Sequence, residues 1–84
     1  MKIRIRYFAS VREKLGVSDE WVMLPDNLAT VEDVRLFLIE RGNVWAEVLS
    51  AGHLKVACQL QMANPHTKVT EGCEVAFFPP VTGG

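Results

Sequence analysis

The sequence has almost no excess charge: nine Lys and Arg stand against ten Asp and Glu, for a formal net charge of −1. A chain so balanced has no bulk attraction for nucleic acid or for an anionic membrane surface, and neither is expected as a partner. No apolar run approaches the ~20 residues that a membrane-spanning helix needs. The opening Met1-Lys2-Ile3-Arg4-Ile5-Arg6 alternates charged and apolar residues, so it cannot be the apolar centre of a signal peptide. A cytoplasmic location is therefore expected. Cysteine is scarce. The two present, Cys58 and Cys73, lack metal-ligand spacing. A single disulfide between them is conceivable, but a reducing compartment leaves both thiols free. His53 and His66 are isolated, and no metal site is expected. A phosphate-binding glycine loop, a nucleophile elbow and internal repeats are also missing, so no bound cofactor or catalytic side chain is expected.

What is present is a good core. Hydrophobic residues make up 49% of 84 residues, which suits one small domain spanning 1–84. Residues 2–8 alternate, with Ile3, Ile5 and Tyr7 on one face and Lys2, Arg4, Arg6 and Phe8 on the other. That period is a strand with one buried face, and the basic face reads as a solvated one. Ser10 and Glu13 have capping-box spacing, which predicts a short helix over Val11 to Leu15, stopped by Gly16. Glu20 to Leu24 reads as a second strand, antiparallel to the first because the connection is short, and Pro25-Asp26-Asn27 as a turn.

The main helix is expected from an N-cap at Thr30. Glu32 and Asp33 sit in its first turn, Val31, Val34, Phe37 and Leu38 form its apolar stripe, Arg41 lies in its last turn, and Gly42 stops it. Trp45 to Leu49 adds a further turn. Leu54 to Met62 reads as one strand with Val56, Cys58 and Leu60 on its apolar side, where Cys58 is a core thiol. After the Asn64-Pro65 turn come a brief edge strand at Thr67 to Val69, a turn at Glu71-Gly72, and a last strand from Cys73 to Phe78.

The final stretch, Phe77-Phe78-Pro79-Pro80-Val81-Thr82-Gly83-Gly84, is expected to be the protein's own C-terminus. The two prolines end the strand because they lack the N–H a sheet ladder uses. They also hold Phe78 and Pro79 extended, so residues 79–84 should leave the sheet as a stiff, then flexible, tail. At ~3.3–3.6 Å per residue, Val81 to Gly84 reaches roughly 13–14 Å. Without side chains, Gly83 and Gly84 suit a channel too narrow for a Cβ and leave a terminal carboxyl group unhindered.

The segment Glu74-Val75-Ala76-Phe77-Phe78-Pro79-Pro80-Val81-Thr82-Gly83-Gly84 resembles the C-terminus of the small, sulfur-carrying subunits of molybdopterin synthase (the MoaD type). The opening Ile3-Arg4-Ile5-Arg6-Tyr7-Phe8-Ala9 and the following Arg12-Glu13 are similar to that family as well. Element order alone indicates a two-layer α+β domain. The resemblance implies the β-grasp, or ubiquitin-like, fold, with a mixed sheet of about four to five strands on one main helix and the first and last strands as parallel central neighbours.

The resemblance also implies a chemistry. An E1-like, ATP-dependent enzyme activates Gly84 as an acyl adenylate. A sulfur donor, such as a cysteine desulfurase or a rhodanese-type protein, converts it to a thiocarboxylate (1-thioglycine). The loaded tail enters the large catalytic subunit and gives its sulfur to cyclic pyranopterin monophosphate. In such a heterotetramer this chain is the carrier subunit of a sulfurtransferase. Gly84 is the reacting residue; Pro79, Pro80, Val81, Thr82 and Gly83 guide it; Phe77 and Phe78 anchor the tail. The alternatives are a ubiquitin-like modifier joined to lysines, a sulfur carrier for another pathway such as thiazole synthesis, and a plain interaction module.

Overall fold

Strand β1, Lys2–Tyr7, buries Ile3, Ile5 and Tyr7 and turns its charged residues outward, as the alternation predicts. In the computed structural model, which describes residues 1–80, the element order continues with α1 (Ala9–Leu15), β2 (Asp19–Met23), α2 (Val31–Ile39), α3 (Val44–Leu49), β3 (Lys55–Cys58), β4 (Gln61–Met62) and β5 (Glu74–Phe78). The five strands form one mixed sheet in the order β2-β1-β5-β3-β4. β5 lies at its centre, parallel to β1 and antiparallel to β3. This is the expected β-grasp arrangement of an α+β domain. The helices cover one sheet face, where Val31, Val34 and Leu38 of α2 and Leu49 of α3 close over Ile3, Ile5, Tyr7, Val75 and Phe77. A strand at the sheet's centre must be apolar on its covered face, which accounts for Val75 and Phe77 both being 0% exposed.

Several local expectations need correction. Ser10 does not cap α1. The helix begins at Ala9, with Phe8 as its N-cap and no capping side chain. The Phe8 carbonyl accepts from the amides of Val11 (3.1 Å) and Arg12 (3.3 Å), and Ala9 makes the bend from strand to helix at φ 50°. Chain leaves β1 and enters α1 with no residue to spare, so Ser10 is already inside the first turn. Gly16 does close the helix as expected, at φ 76° with its N–H donating to the Arg12 carbonyl.

In α2, Thr30 is the N-cap, and the cap is a reciprocal one. Thr30 Oγ1 accepts from the Asp33 amide at 3.1 Å, while Asp33 Oδ2 accepts from the amides of Thr30 (3.1 Å) and Ala29 (2.9 Å). Those bonds hold the Asp33 carboxyl below its ordinary pKa, the Ala29 amide contributing most. Arg41 is not in the last turn of α2, which ends at Ile39. It lies beyond the helix and reaches back to Glu20 on β2.

The predicted single strand from Leu54 to Met62 is a hairpin. Gln59 and Leu60 both have positive φ, 51° and 66°, between β3 and β4. A two-residue connection with both residues left-handed matches the twist of the flanking strands. Leu60, placed on the apolar side by alternation, is instead at the tip and 88% exposed. Gln59 tolerates this conformation with compensation: its amide donates to the Glu74 carbonyl (2.9 Å) and its side-chain oxygen accepts from the Glu74 amide (2.8 Å). The Thr67–Val69 segment contributes only a bridge, Thr30 to Lys68, and straps the start of α2 rather than extending the sheet as an edge strand.

Candidate functional site

The tail's root is set by the end of β5. Phe77 is held three ways. Its backbone pairs with Tyr7 on β1 and Val56 on β3, its carbonyl accepts from the Phe8 amide at 3.1 Å, and its ring lies stacked beside Tyr7 with centroids 6.3 Å apart. Tyr7 in turn meets Trp45 of α3 edge to face at 5.5 Å. Its hydroxyl donates to Glu20 Oε2 at 2.8 Å, and Glu20 accepts from both terminal nitrogens of Arg41 at 2.8 and 2.9 Å. The Arg41 guanidinium lies 4.4 Å from the centre of the Trp45 ring. Burial, with the Glu20 carboxylate beside it, pushes the Tyr7 hydroxyl far above its ordinary pKa, so it stays a donor. The Arg41 hydrogen bonds hold the Glu20 carboxyl below its ordinary range. Sequence reading missed this Tyr7–Glu20–Arg41–Trp45 network, because its members are scattered over β1, β2, a loop and α3.

Phe78 and Ala76 point to the opposite, open sheet face, beside Lys55 and Ala57 of β3, with Met62 beyond. Register also puts Arg4 and Arg6 of β1 on this face, next to Glu74 and Ala76. The apolar end around Phe78 and the basic stripe of β1 are thus two parts of one face. The stripe is largely neutralised: Arg4 lies 3.3 Å from Asp19 and Arg6 3.9 Å from Glu74. Lys2 and Arg4 sit over the Trp21 ring, and Arg6 lies 5.0 Å from the centre of the Phe8 ring. Charge balance explains why this face reads as solvated rather than anion-binding.

Pro79 and Pro80 follow, both half-buried. Pro79 forms one wall of a cleft of about 230 Å³ with Ser10, Lys14, Glu47, Val48, His53 and Leu54. The remaining expected site residues, Val81, Thr82, Gly83 and Gly84, lie outside the described residues. Cys73 is buried, Cys58 is half-buried, and both are free thiols. Among the described residues, no group of three or more His, Cys, Asp or Glu is placed to hold a metal ion, and no helix is long and apolar enough to cross a membrane.

Comparison with known proteins agrees with this architecture. The chain is 42% identical over 82 residues to the molybdopterin synthase sulfur carrier subunit of Haemophilus influenzae, covering 98% of this chain and 99% of that one. It is 38% identical over 82 residues to the protein of the same name from Escherichia coli, with the same coverage. The crystal structure of SAMP1 from Haloferax volcanii superposes with a TM-score of 0.77 at 26% identity, each chain covered completely. The ThiS family model matches residues 5–84, from the first strand through the glycines of the tail, and the chain belongs to the ThiS family.

Proposed function

We propose that this chain is the sulfur-carrier subunit of a molybdopterin synthase and that the Gly84 carboxyl group is its reactive group. The observation that carries this reading is the 42% identity, over 98% of the chain, to a relative named as that subunit. The position of β5 supports it physically. Phe77 locks the strand on both edges, so whatever follows Pro79-Pro80 departs from a fixed point, the geometry a carrier needs to offer its end to successive partners.

A carboxylate is a poor acyl donor because its oxygen does not leave. In the proposed cycle an E1-like enzyme lets the Gly84 carboxylate attack the α-phosphate of ATP, releasing pyrophosphate and forming the glycyl adenylate. The outer sulfur of a persulfide on a cysteine desulfurase or rhodanese-type donor then displaces AMP to give an acyl disulfide. A thiol attacks the donor's sulfur, so that 1-thioglycine leaves and a disulfide remains on the donor. The thiocarboxylate sulfur attacks the cyclic pyranopterin monophosphate in the large subunit, which supplies the catalytic side chains. Water then cleaves the bond between the Gly84 carbonyl and sulfur, leaving sulfur on the pterin and returning Gly84 as a carboxylate. A dithiolene holds two sulfurs, so two loaded carriers are consumed per product. Pro79, Pro80, Val81, Thr82 and Gly83 guide the tip, and Phe78 belongs to the docking surface.

The test is reconstitution with the activating enzyme, sulfur donor, large subunit and pterin precursor. A variant lacking Gly84 should fold as the parent does, since the last strand ends at Phe78 and terminal residues carry few contacts, yet deliver no sulfur. Removing one residue withdraws the acyl carbon by ~3.3–3.6 Å, whereas reacting atoms must meet within about 3–3.5 Å. Product formation at the parent's rate would overturn the assignment. The likeness to SAMP1 favours a second reading, a protein modifier joined through Gly84 to lysines. Intact mass of the protein from cells separates the two: sulfur in place of one oxygen marks the carrier, and lysine-linked adducts mark the modifier.

A further inference from the structure

We propose that Cys58 and Cys73 are an oxidative modification site, closing into a reversible intramolecular disulfide when the protein meets a low-molecular-weight disulfide such as oxidised glutathione. They are the chain's two cysteines. Cys58 ends β3 and pairs with Val75 on β5, so its side chain shares the covered face with Val75. Cys73 lies two residues before Val75, on that same face, immediately ahead of the first residue of β5. Both side chains pack in one apolar cluster as diagonal neighbours across the β3–β5 pair, and burial, with the neighbouring Cys73 as the smaller cause, raises the Cys58 pKa.

The backbone here has room to adjust. A disulfide needs Cβ atoms about 3.5–4.5 Å apart and a specific torsion. Cys58 adjoins the left-handed Gln59-Leu60 turn, and Cys73 sits in the turn after Gly72, its amide donating to the Thr70 carbonyl. The Cys73 carbonyl accepts from the Arg4 amide of β1 at 2.9 Å and holds that residue in place, whereas Cys58 is the last pair of the β3–β5 ladder, so the adjustment falls to Cys58 and the adjoining turn and leaves the β1–β5 pairing in place.

Exposure assigns the order of steps. Cys58 is half-buried, whereas Cys73 is 2% exposed, so Cys58 meets the oxidant first. Its thiolate attacks one sulfur of the small disulfide, forming a mixed disulfide and expelling one small thiolate. The Cys73 thiolate then attacks the Cys58 sulfur and expels the second. Two protein thiols are oxidised by two electrons, the small disulfide is reduced to two thiols, and those thiols take up the two protons. The raised Cys58 pKa makes the first step slow at neutral pH and faster as pH rises. The product would clamp the hairpin to the start of the sheet's central strand.

The experiment incubates the purified full chain with oxidised glutathione across a series of pH values and protein concentrations. Expected are an intact mass lower by two hydrogen atoms, loss of both alkylatable thiols, and one Cys58–Cys73 linked peptide. The rate should rise with pH and not depend on protein concentration. The melting temperature should rise on oxidation and return with reductant, because the cross-link restricts the unfolded chain. Cys73→Ala should arrest at a stable glutathione adduct on Cys58, and Cys58→Ala should leave Cys73 unreactive in the folded protein. Disulfide-linked dimers, a persistent Cys58 adduct in the parent with Cys73 still free, or no reaction at pH ~9 would each overturn the proposal.

Discussion

Along β5, neighbouring residues live in different environments. Val75 and Phe77 face the helices and are fully buried; Ala76 and Phe78 face outward and are only half-buried. The same contrast runs across the sheet, where Ile3 and Ile5 lie under the helices while Trp21 (52%) and Met62 (67%) stay exposed on or beside the open face. The covered face carries the stability of the fold. Apolar side chains on the open face contribute little to folding, which leaves them available for a partner. Two phenylalanines adjacent in sequence thus have different physical roles, and substitution can separate them.

Phe77→Ala should have the largest effect, a loss of about 3–5 kcal/mol, because it empties a fully buried site at the sheet's centre. Urea unfolding measures it, and Phe78→Ala alongside should cost only about 1 kcal/mol or less. Equal losses would erase the distinction between the faces. Binding should show the reverse order. In a titration against the proposed large subunit, Phe78→Ala should weaken affinity by about 2 kcal/mol, a loss typical of an aromatic anchor. Full affinity in that variant would move the docking surface elsewhere.

Thr30→Ala removes the α2 cap and should cost ~0.5–2 kcal/mol in thermal unfolding, with sulfur delivery unchanged once the protein is folded. The smallest effect concerns Glu20. Its pKa is lowered in the folded state, so its contribution is present above the ordinary glutamate value of 4.5 and lost as pH falls through the lower folded-state value. Glu20→Gln should cost about 1 kcal/mol at neutral pH, given the partial exposure of the pair, and should flatten the acid limb of the stability curve. An acid limb unchanged in that variant would remove Glu20 from the account of acid unfolding.

Features with a strong local period or cap were legible in the sequence. The alternation of β1, the Thr30 cap, the α2 stripe and the apolar run of β5 follow from spacing alone, and they place the first strand, the main helix and the last strand. What was not legible depends on partners distant in sequence. Gln59 and Leu60 lack the Asn-Gly signature of a tight hairpin, and their left-handed turn is supported by Glu74, on another strand. Arg41 resembles a helix-end cation until its bond to Glu20 is seen. Ser10 has the right spacing for a cap, but the β1–α1 junction is set by Phe8 bonding to Phe77. At the tail's root, Pro79-Pro80 marked the exit from the sheet. The cleft beside Pro79 joins residues of α1, α3 and the loop before β3, and no sequence signal brings those together.

The central, parallel pairing of β1 with β5 also governs when the fold can form. β5 is synthesised after every other element, yet it sits between β1 and β3 and joins the two halves of the sheet. Contacts between strands so far apart in sequence raise contact order and slow folding. While β5 is still inside the ribosome, β1–β2 and β3–β4 are separate two-stranded pairs, and isolated pairs of strands are at best marginally stable. Completion of the sheet and emergence of the residues after Pro80 are therefore nearly simultaneous events. A chain cut short of β5 cannot complete the sheet, so partners that recognise the docked root would sample only chains that include that strand.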